Sequence, residues 1–181
     1  GYDAGSAVTT GINNTIIGGL AGDAFTTGNR NTLIGRAAGT AITTSNSDNT
    51  FIGEACGAAM TTGDANTFIG RYNGEAGLDL RTSSNNIVLS DGDGNPNGYY
   101  LGSADQWIFK GQDTGQYAFQ IQHTVSSASP YGLNIDFTAS APNNTTQAFL
   151  VCADSSAVRL EIKSNGNIQN TNNSYGALSD V

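Results

Sequence analysis

Short apolar segments recur at a nearly constant interval through the first half of the chain, each preceded by Asn-Thr and followed by Gly. The four complete copies lie at residues 14–18, 31–35, 49–53 and 66–70. A second glycine, an alanine and, in most copies, a pair of threonines follow at constant spacing. A repeat of this length, rich in Gly, Asn and Thr and poor in helix formers, predicts a β-solenoid with one coil per repeat.

Each repeat carries two adjacent apolar residues, which on a strand point to opposite faces. We expect the second of each pair to fill the interior of its coil: Ile17, Ile34, Ile52 and Ile69. A coil this short has no second interior, so another chain is expected to cover the first residue of each pair. The predicted contacts between chains are Ile16, Leu33, Phe51 and Phe68.

The glycines on either side of the apolar segments predict corners that a Cβ would obstruct. The Gly-x-x-x-Gly spacing is also found in dimers of membrane helices, but Arg36, Glu54 and Arg71 interrupt it and no apolar run approaches membrane length. We therefore expect no membrane insertion. Residues 1–11 match the same repeat entered after its isoleucine, which predicts that the chain is a piece of a longer polypeptide.

The pattern changes after residue 89. A Gly/Asn/Pro cluster at 90–98 predicts a loop between two domains, a β-solenoid at 1–89 and a distal β domain at 99–170. Strict alternation at 158–163 predicts a strand, and Asn165-Gly166 predicts a hairpin turn. The modest size of the distal domain favours a core shared between chains. Residues 171–181 are expected to be a tail.

The composition of the chain argues against some classes of binding partner. Only 12% of residues are charged and the net charge is -8, which disfavours binding to nucleic acid or to an anionic membrane. The two cysteines, Cys56 and Cys152, are too few for a disulfide framework and are expected to be small packing residues.

Few residues suggest catalysis or metal binding. The oxygen ligands at 91–95 alternate as in a calcium loop, but Pro96 replaces the expected glycine, which favours a plain polar turn. His123 lies on an apolar strand face and is expected to be a core histidine. Acid pairs such as Glu54 with Asp64, or Glu75 with Asp79, leave a glycosidase open as a minor alternative. We expect no enzyme activity, metal or cofactor.

The Asn-Thr-x-Ile-Gly column resembles the head repeats of trimeric autotransporter adhesins, and similar repeats occur in bacteriophage tail fibres. This resemblance covers residues 1 to 89. It implies intertwined homotrimers built from parallel β-rolls.

The C-terminal stretch "EIKSNGNIQNTNNSYGALSDV" resembles the segment of phage tail fibres and tailspikes that leads into an intramolecular chaperone domain. In that family the chaperone trimerises the fibre and then cuts itself off at a Ser-Asp bond. The resemblance therefore implies a cleavage junction at Ser179 and Asp180.

Together these observations predict an all-β, intertwined homotrimer. A β-solenoid shaft (a parallel β-roll or triple β-helix) would precede a distal domain resembling a β-sandwich or β-prism. The predicted role is that of a virion tail fibre, which joins other tail proteins and attaches to a host-surface glycan or protein. A bacterial trimeric adhesin is the main alternative, and a tailspike depolymerase is a weaker one.

Aromatic residues near the distal end suit sugar stacking, although they also serve as core or interface anchors. The candidates are Tyr99, Tyr100, Trp107, Tyr131 and Tyr175.

Overall fold

The structure is a computed structural model that describes residues 1–43, 45–111, 119–120, 133, 135 and 143–170. No residue in these ranges is helical. The chain divides into two compact units, Gly1–Gln120 and Ile121–Val181. The strands of the first unit are β1 Thr15–Ile17, β2 Thr32–Ile34, β3 Thr50–Ile52, β4 Thr67–Ile69, β5 Ile87–Ser90, β6 Pro96–Leu101 and β7 Gln106–Phe109. Those of the second are β8 Ala148–Ala153, β9 Val158–Lys163 and β10 Ile168–Asn170.

The first five strands stack in parallel and in register, one from each successive coil. This stacking confirms the predicted solenoid. Two rows of apolar residues run across the strands. The inner row consists of Ile16, Leu33, Phe51, Phe68 and Val88. The outer row consists of Ile17, Ile34, Ile52, Ile69 and Leu89.

The inner row fills the interior of the coils, contrary to the face assignment made from the sequence. Leu33, Phe51 and Phe68 are fully buried within their own chain, and Ile16 packs against the same core. In contrast, Ile52 is 37% and Ile69 is 44% exposed. The sequence-based assignment of the two faces was therefore wrong, because the residue after Thr, and not the isoleucine, points inward.

An asparagine ladder lines one edge of the core. It consists of Asn14, Asn31, Asn49, Asn66 and Asn86. The Oδ1 atom of each member accepts hydrogen bonds from the backbone N–H and the side-chain Nδ2 of the next member. For Asn49 and Asn66 these bonds measure 3.0 and 3.2 Å. Such a ladder satisfies amides that would be costly to bury unpaired, and it fixes the register of every coil on the next.

Removing the Asn49 side chain from the ladder should lower the free energy of unfolding substantially. Its Nδ2 donates to the carbonyls of Ser47 and Gly63, and its Oδ1 accepts from the Asn66 N–H. Asn49→Ala would leave the buried N–H of Asn66 without this partner, and each such orphan costs about 1–3 kcal/mol. We expect a loss of about 2–4 kcal/mol in the free energy of unfolding, measured by chemical denaturation.

Asn46→Ala is the matched control. Asn46 is also buried, at 3% exposed, and within the described residues its Oδ1 has no hydrogen-bond partner. Its Nδ2 donates to the Gly63 carbonyl, which Asn49 also reaches. Asn46→Ala should therefore cost less than about 1 kcal/mol. Equal losses at the two positions would contradict the ladder as a source of stability.

Glycines form the corner that follows each of the first four strands. Gly18, Gly35, Gly53 and Gly70 have φ between 111° and 139°. A Cβ on any of the first three would collide with the backbone of the glycine one coil further on. Close approach of successive coils and a left-handed backbone both demand glycine here, as the sequence predicted.

An antiparallel hairpin closes the last coil. Strand β6 pairs antiparallel with β5, and β7 pairs with β6. Tyr99 is buried against the core, and the N–H of Gly102 donates to the last ladder asparagine, Asn86, at 3.3 Å. The cluster at 90–98 is thus not a domain boundary: it contains a turn within one sheet, and the compact units divide after Gln120.

The second unit contains a three-stranded antiparallel sheet in the order β10-β9-β8. The predicted turn at Asn165-Gly166 joins β9 to β10, with Gly166 at φ 85°. This confirms the hairpin.

Of the two cysteines, Cys56 is buried as expected, and its burial raises the thiol pKa to about 12. Cys152 is exposed on β8, so its assignment as a packing residue was wrong.

Candidate functional site: the outer face of the seven-stranded sheet

The outer row presents an apolar ridge on the surface of the first unit. Ile17, Ile52, Ile69 and Leu89 are all more than a third exposed. They lie directly beside one another because strands β1 to β5 are in register. The threonines that begin β1 to β4 lie on the same face, since residues two apart on a strand share a face. A continuous ridge of this kind marks an association surface.

Aromatic side chains extend the same face onto the hairpin. Leu89 pairs with Gly98, which pairs with Phe109, while Tyr100 pairs with Trp107. The ring centroids of Tyr100 and Trp107 are 5.7 Å apart, and those of Trp107 and Phe109 are 6.1 Å apart with planes only 11° from parallel. Phe119 stacks on Phe109 at 5.3 Å. We call Tyr100, Trp107, Phe109 and Phe119 the aromatic patch.

A shallow recess adjoins the patch. It has a volume of about 320 Å³ and lies over Gly98, whose missing side chain leaves space between Leu89 and the ring of Phe109. Ser90, Asp91 and Asn97 complete its lining. The recess therefore joins an aromatic wall to polar side chains.

Polar groups border the aromatic patch. The Tyr100 hydroxyl donates a hydrogen bond to the carboxylate of Asp105, and this bond is the main reason that the pKa of Tyr100 is raised. Lys110 lies over the ring of the buried Tyr99, 5.3 Å from its centroid. Trp107 is half exposed.

The oxygen-rich loop at 91–95 is a polar turn. The carboxylate of Asp91 accepts hydrogen bonds from the backbone N–H groups of Asp93 and Asn95 and from the side chains of Asn95 and Asn97. The bonds from Asn95 are the largest cause of a pKa lowered to about 2 for Asp91. In the described ranges, no group of three or more His, Cys, Asp or Glu side chains could hold a metal ion.

Three of the four acid residues considered for glycoside hydrolysis, Glu54, Glu75 and Asp79, form ion pairs instead. Glu54 contacts Arg71 at 2.5 Å and Arg36 at 3.1 Å, and the Arg71 hydrogen bond is the main cause of its lowered pKa. Asp79 and Glu75 both contact Arg81, and the hydrogen bond from Arg81 lowers the pKa of Asp79 to about 2. A general acid needs the opposite shift.

Several predicted residues lie outside the described ranges: Ser179 and Asp180 of the junction, His123, and the aromatic candidates Tyr131 and Tyr175. Of the remaining aromatic candidates, Tyr100 and Trp107 lie together on the surface, whereas Tyr99 points into the core. Phe109 and Phe119 were not singled out from the sequence. The alternation Trp107-x-Phe109 could have indicated that Phe109 shares the face of Trp107.

No family model, curated protein or solved structure matches this chain. Over the described part of the chain, no helix has the length and apolar character needed to cross a membrane.

Proposed function

We propose that this chain is a segment of a homotrimeric extracellular fibre of the phage tail-fibre class, which projects from a virion and attaches it to a host surface. The observation that carries the proposal is the outer row. It is an apolar ridge, in register across five coils, of which Ile17, Ile52, Ile69 and Leu89 remain exposed in the single chain. Copies of the chain that pack along this ridge would bury it.

The architecture of the coils suits a mechanical role. Each coil bonds to the next through parallel strands, the asparagine ladder and further bonds such as the one from the Thr26 hydroxyl to the Thr43 carbonyl, at 2.6 Å. Neighbouring strands are about 4.8 Å apart, so the coils form a stiff rod that gains that length with each repeat. Trimeric association and the tail-fibre class are the states that the sequence resemblances imply.

The main alternative, a bacterial trimeric adhesin, would use the same shaft in the same way. The tail-fibre and adhesin hypotheses differ at Ser179-Asp180. Only the tail-fibre hypothesis predicts cleavage of that bond. A depolymerase is disfavoured because Glu54 and Asp79 are held ionised by arginines, while general-acid catalysis at a sugar requires a carboxyl with a raised pKa.

Introducing charged side chains into the outer row should abolish association of the chains into a trimer. Two ammonium groups on each chain of the double variant Ile52→Lys/Ile69→Lys would be desolvated if the ridges packed together. We expect the unmodified chain to sediment as a trimer at micromolar concentration. The variant should sediment as a folded monomer with an unchanged far-ultraviolet circular dichroism spectrum.

Ile12→Lys is the matched control, since Ile12 is 61% exposed but lies outside the outer row. It should leave the trimer intact. A well-folded monomer of the unmodified chain at micromolar concentration would overturn the proposed function. A trimer that survives the double substitution would show that another surface mediates association.

A further inference from the structure

We propose that the aromatic patch binds a neutral glycan, with the ring of Trp107 as the stacking platform and the Tyr100–Asp105 pair as its hydrogen-bonding edge. This inference rests on the proposed attachment function, and it gives that function a specific site and ligand class.

The outer row is aliphatic, whereas the patch combines flat rings with two polar groups, the Tyr100 hydroxyl and the Trp107 indole N–H. Trp107 and Phe109 are each 50% exposed, and their nearly parallel rings lie 6.1 Å apart, so about half of each side chain remains open to a ligand. Tyr100 lies on one side of Trp107, with its hydroxyl bonded to Asp105. Ligand sites typically pair apolar and aromatic walls with a few placed polar groups.

A sugar ring matches this combination. Its axial C–H groups form an apolar face that can lie on an aromatic ring, and its hydroxyls lie around the edge. The hydroxyls could accept from the Trp107 indole N–H and donate to the carboxylate of Asp105.

A second copy of the chain fits the patch less well. A dry interface would remove Asp105 from water, and burying a carboxylate that has no opposite charge beside it is costly. Sugar hydroxyls and the water around them would keep it hydrogen-bonded.

Charge narrows the glycan class. Asp93 and Asp105 are exposed and Asp91 is half-buried around the patch and the recess, and Lys110 is the one exposed cation within residues 90–111. The whole chain carries a net charge of -8. An acidic polysaccharide would be repelled, so a neutral glycan is the expected ligand.

Trp107 is the only tryptophan of the chain, so its fluorescence reports directly on the patch. We would titrate the full chain with chitotetraose and with maltohexaose at up to millimolar concentrations, and use polysialic acid as the anionic comparison. A saturable blue shift with at least one neutral oligosaccharide, and none with polysialic acid, is expected. Without sugar, acrylamide should quench Trp107 as it quenches an exposed tryptophan.

Phe109→Ala keeps the fluorescent probe and should weaken binding at least about tenfold, while Trp107→Ala should weaken it similarly by calorimetry. Tyr2→Ala is the control, because Tyr2 is an exposed aromatic (79%) on the first coil. It should bind as the unmodified chain does. Both patch variants should sediment as the unmodified chain does, since the patch is not expected to join copies.

Three results would overturn the inference. The first is the absence of a saturable change with both neutral oligosaccharides. The second is unchanged binding by Phe109→Ala and Trp107→Ala. The third is a Trp107 that is shielded from acrylamide without sugar, together with dissociation of copies by Phe109→Ala, which would identify the patch as an interface between chains. In the first two cases a trimer with an intact outer row leaves the proposed function standing, so the two failures are distinguishable.

Discussion

Gly53→Ala is expected to destabilise the first unit by more than about 4 kcal/mol, a loss seen only when a substitution breaks a structural requirement. Gly53 has φ 139°, where an L side chain is strained, and a Cβ there would lie on the carbonyl oxygen of Gly70. Relief would require two coils to separate, which would break the parallel pairing of β3 with β4. The loss should appear as a much lower midpoint of urea denaturation, or as a chain that does not fold.

Gly77→Ala separates steric collision from backbone strain. Gly77 also has a positive φ, of 69°, but a Cβ there would meet no atom within 4 Å. Its substitution should cost only the strain of a left-handed residue, about 1 kcal/mol. Similar losses at Gly53 and Gly77 would show that the coils are not as closely stacked as described.

Phe51→Ala is expected to cost about 3–5 kcal/mol, the usual cost of removing a buried aromatic ring. Phe51 is fully buried, and its ring stacks on that of Phe68 with centroids 4.9 Å apart. The cavity would be enclosed by the chain's own coils. The loss should therefore be the same at every protein concentration in denaturant titrations.

Ile52→Ala provides the comparison from the opposite face of the same strand. Because Ile52 is 37% exposed in the single chain, its truncation should cost less at low concentration. If copies pack along the outer row, the cost should grow as the protein concentration is raised and association sets in. A larger loss for Ile52→Ala than for Phe51→Ala in dilute monomer would contradict the observed placement of the two faces.

The repeat predicted the solenoid because each coil uses the same residues for the same task. Glycine spacing located the corners. The faces were assigned wrongly because two adjacent apolar residues do not by themselves show which of them points inward. Alternation places Asn49 and Phe51 on one face and Thr50 and Ile52 on the other. Once the asparagines are buried in a ladder, the residue after Thr must point inward with them.

The hairpin that closes the coils was also hidden from sequence reasoning. A Gly/Asn/Pro cluster signals a turn, but it does not tell whether the chain leaves a domain or folds back on the same sheet. The sequence therefore predicted only part of the candidate site. Tyr100 and Trp107 could be named as exposed aromatics, but their pairing across two strands depends on a register that the turn sets.

Two of the coils are longer than the others, and the ladder tolerates both. One extra residue lies between Thr43 and Ser47, and three lie between Gly70 and Arg81, yet Asn31 still bonds to Asn49 and Asn66 to Asn86. The strands stay aligned across both longer coils. A gene encoding such a rod can therefore lengthen it by duplicating one coil, or diversify its surface by corner insertions, without redesigning the core. Length and surface chemistry are free to evolve separately.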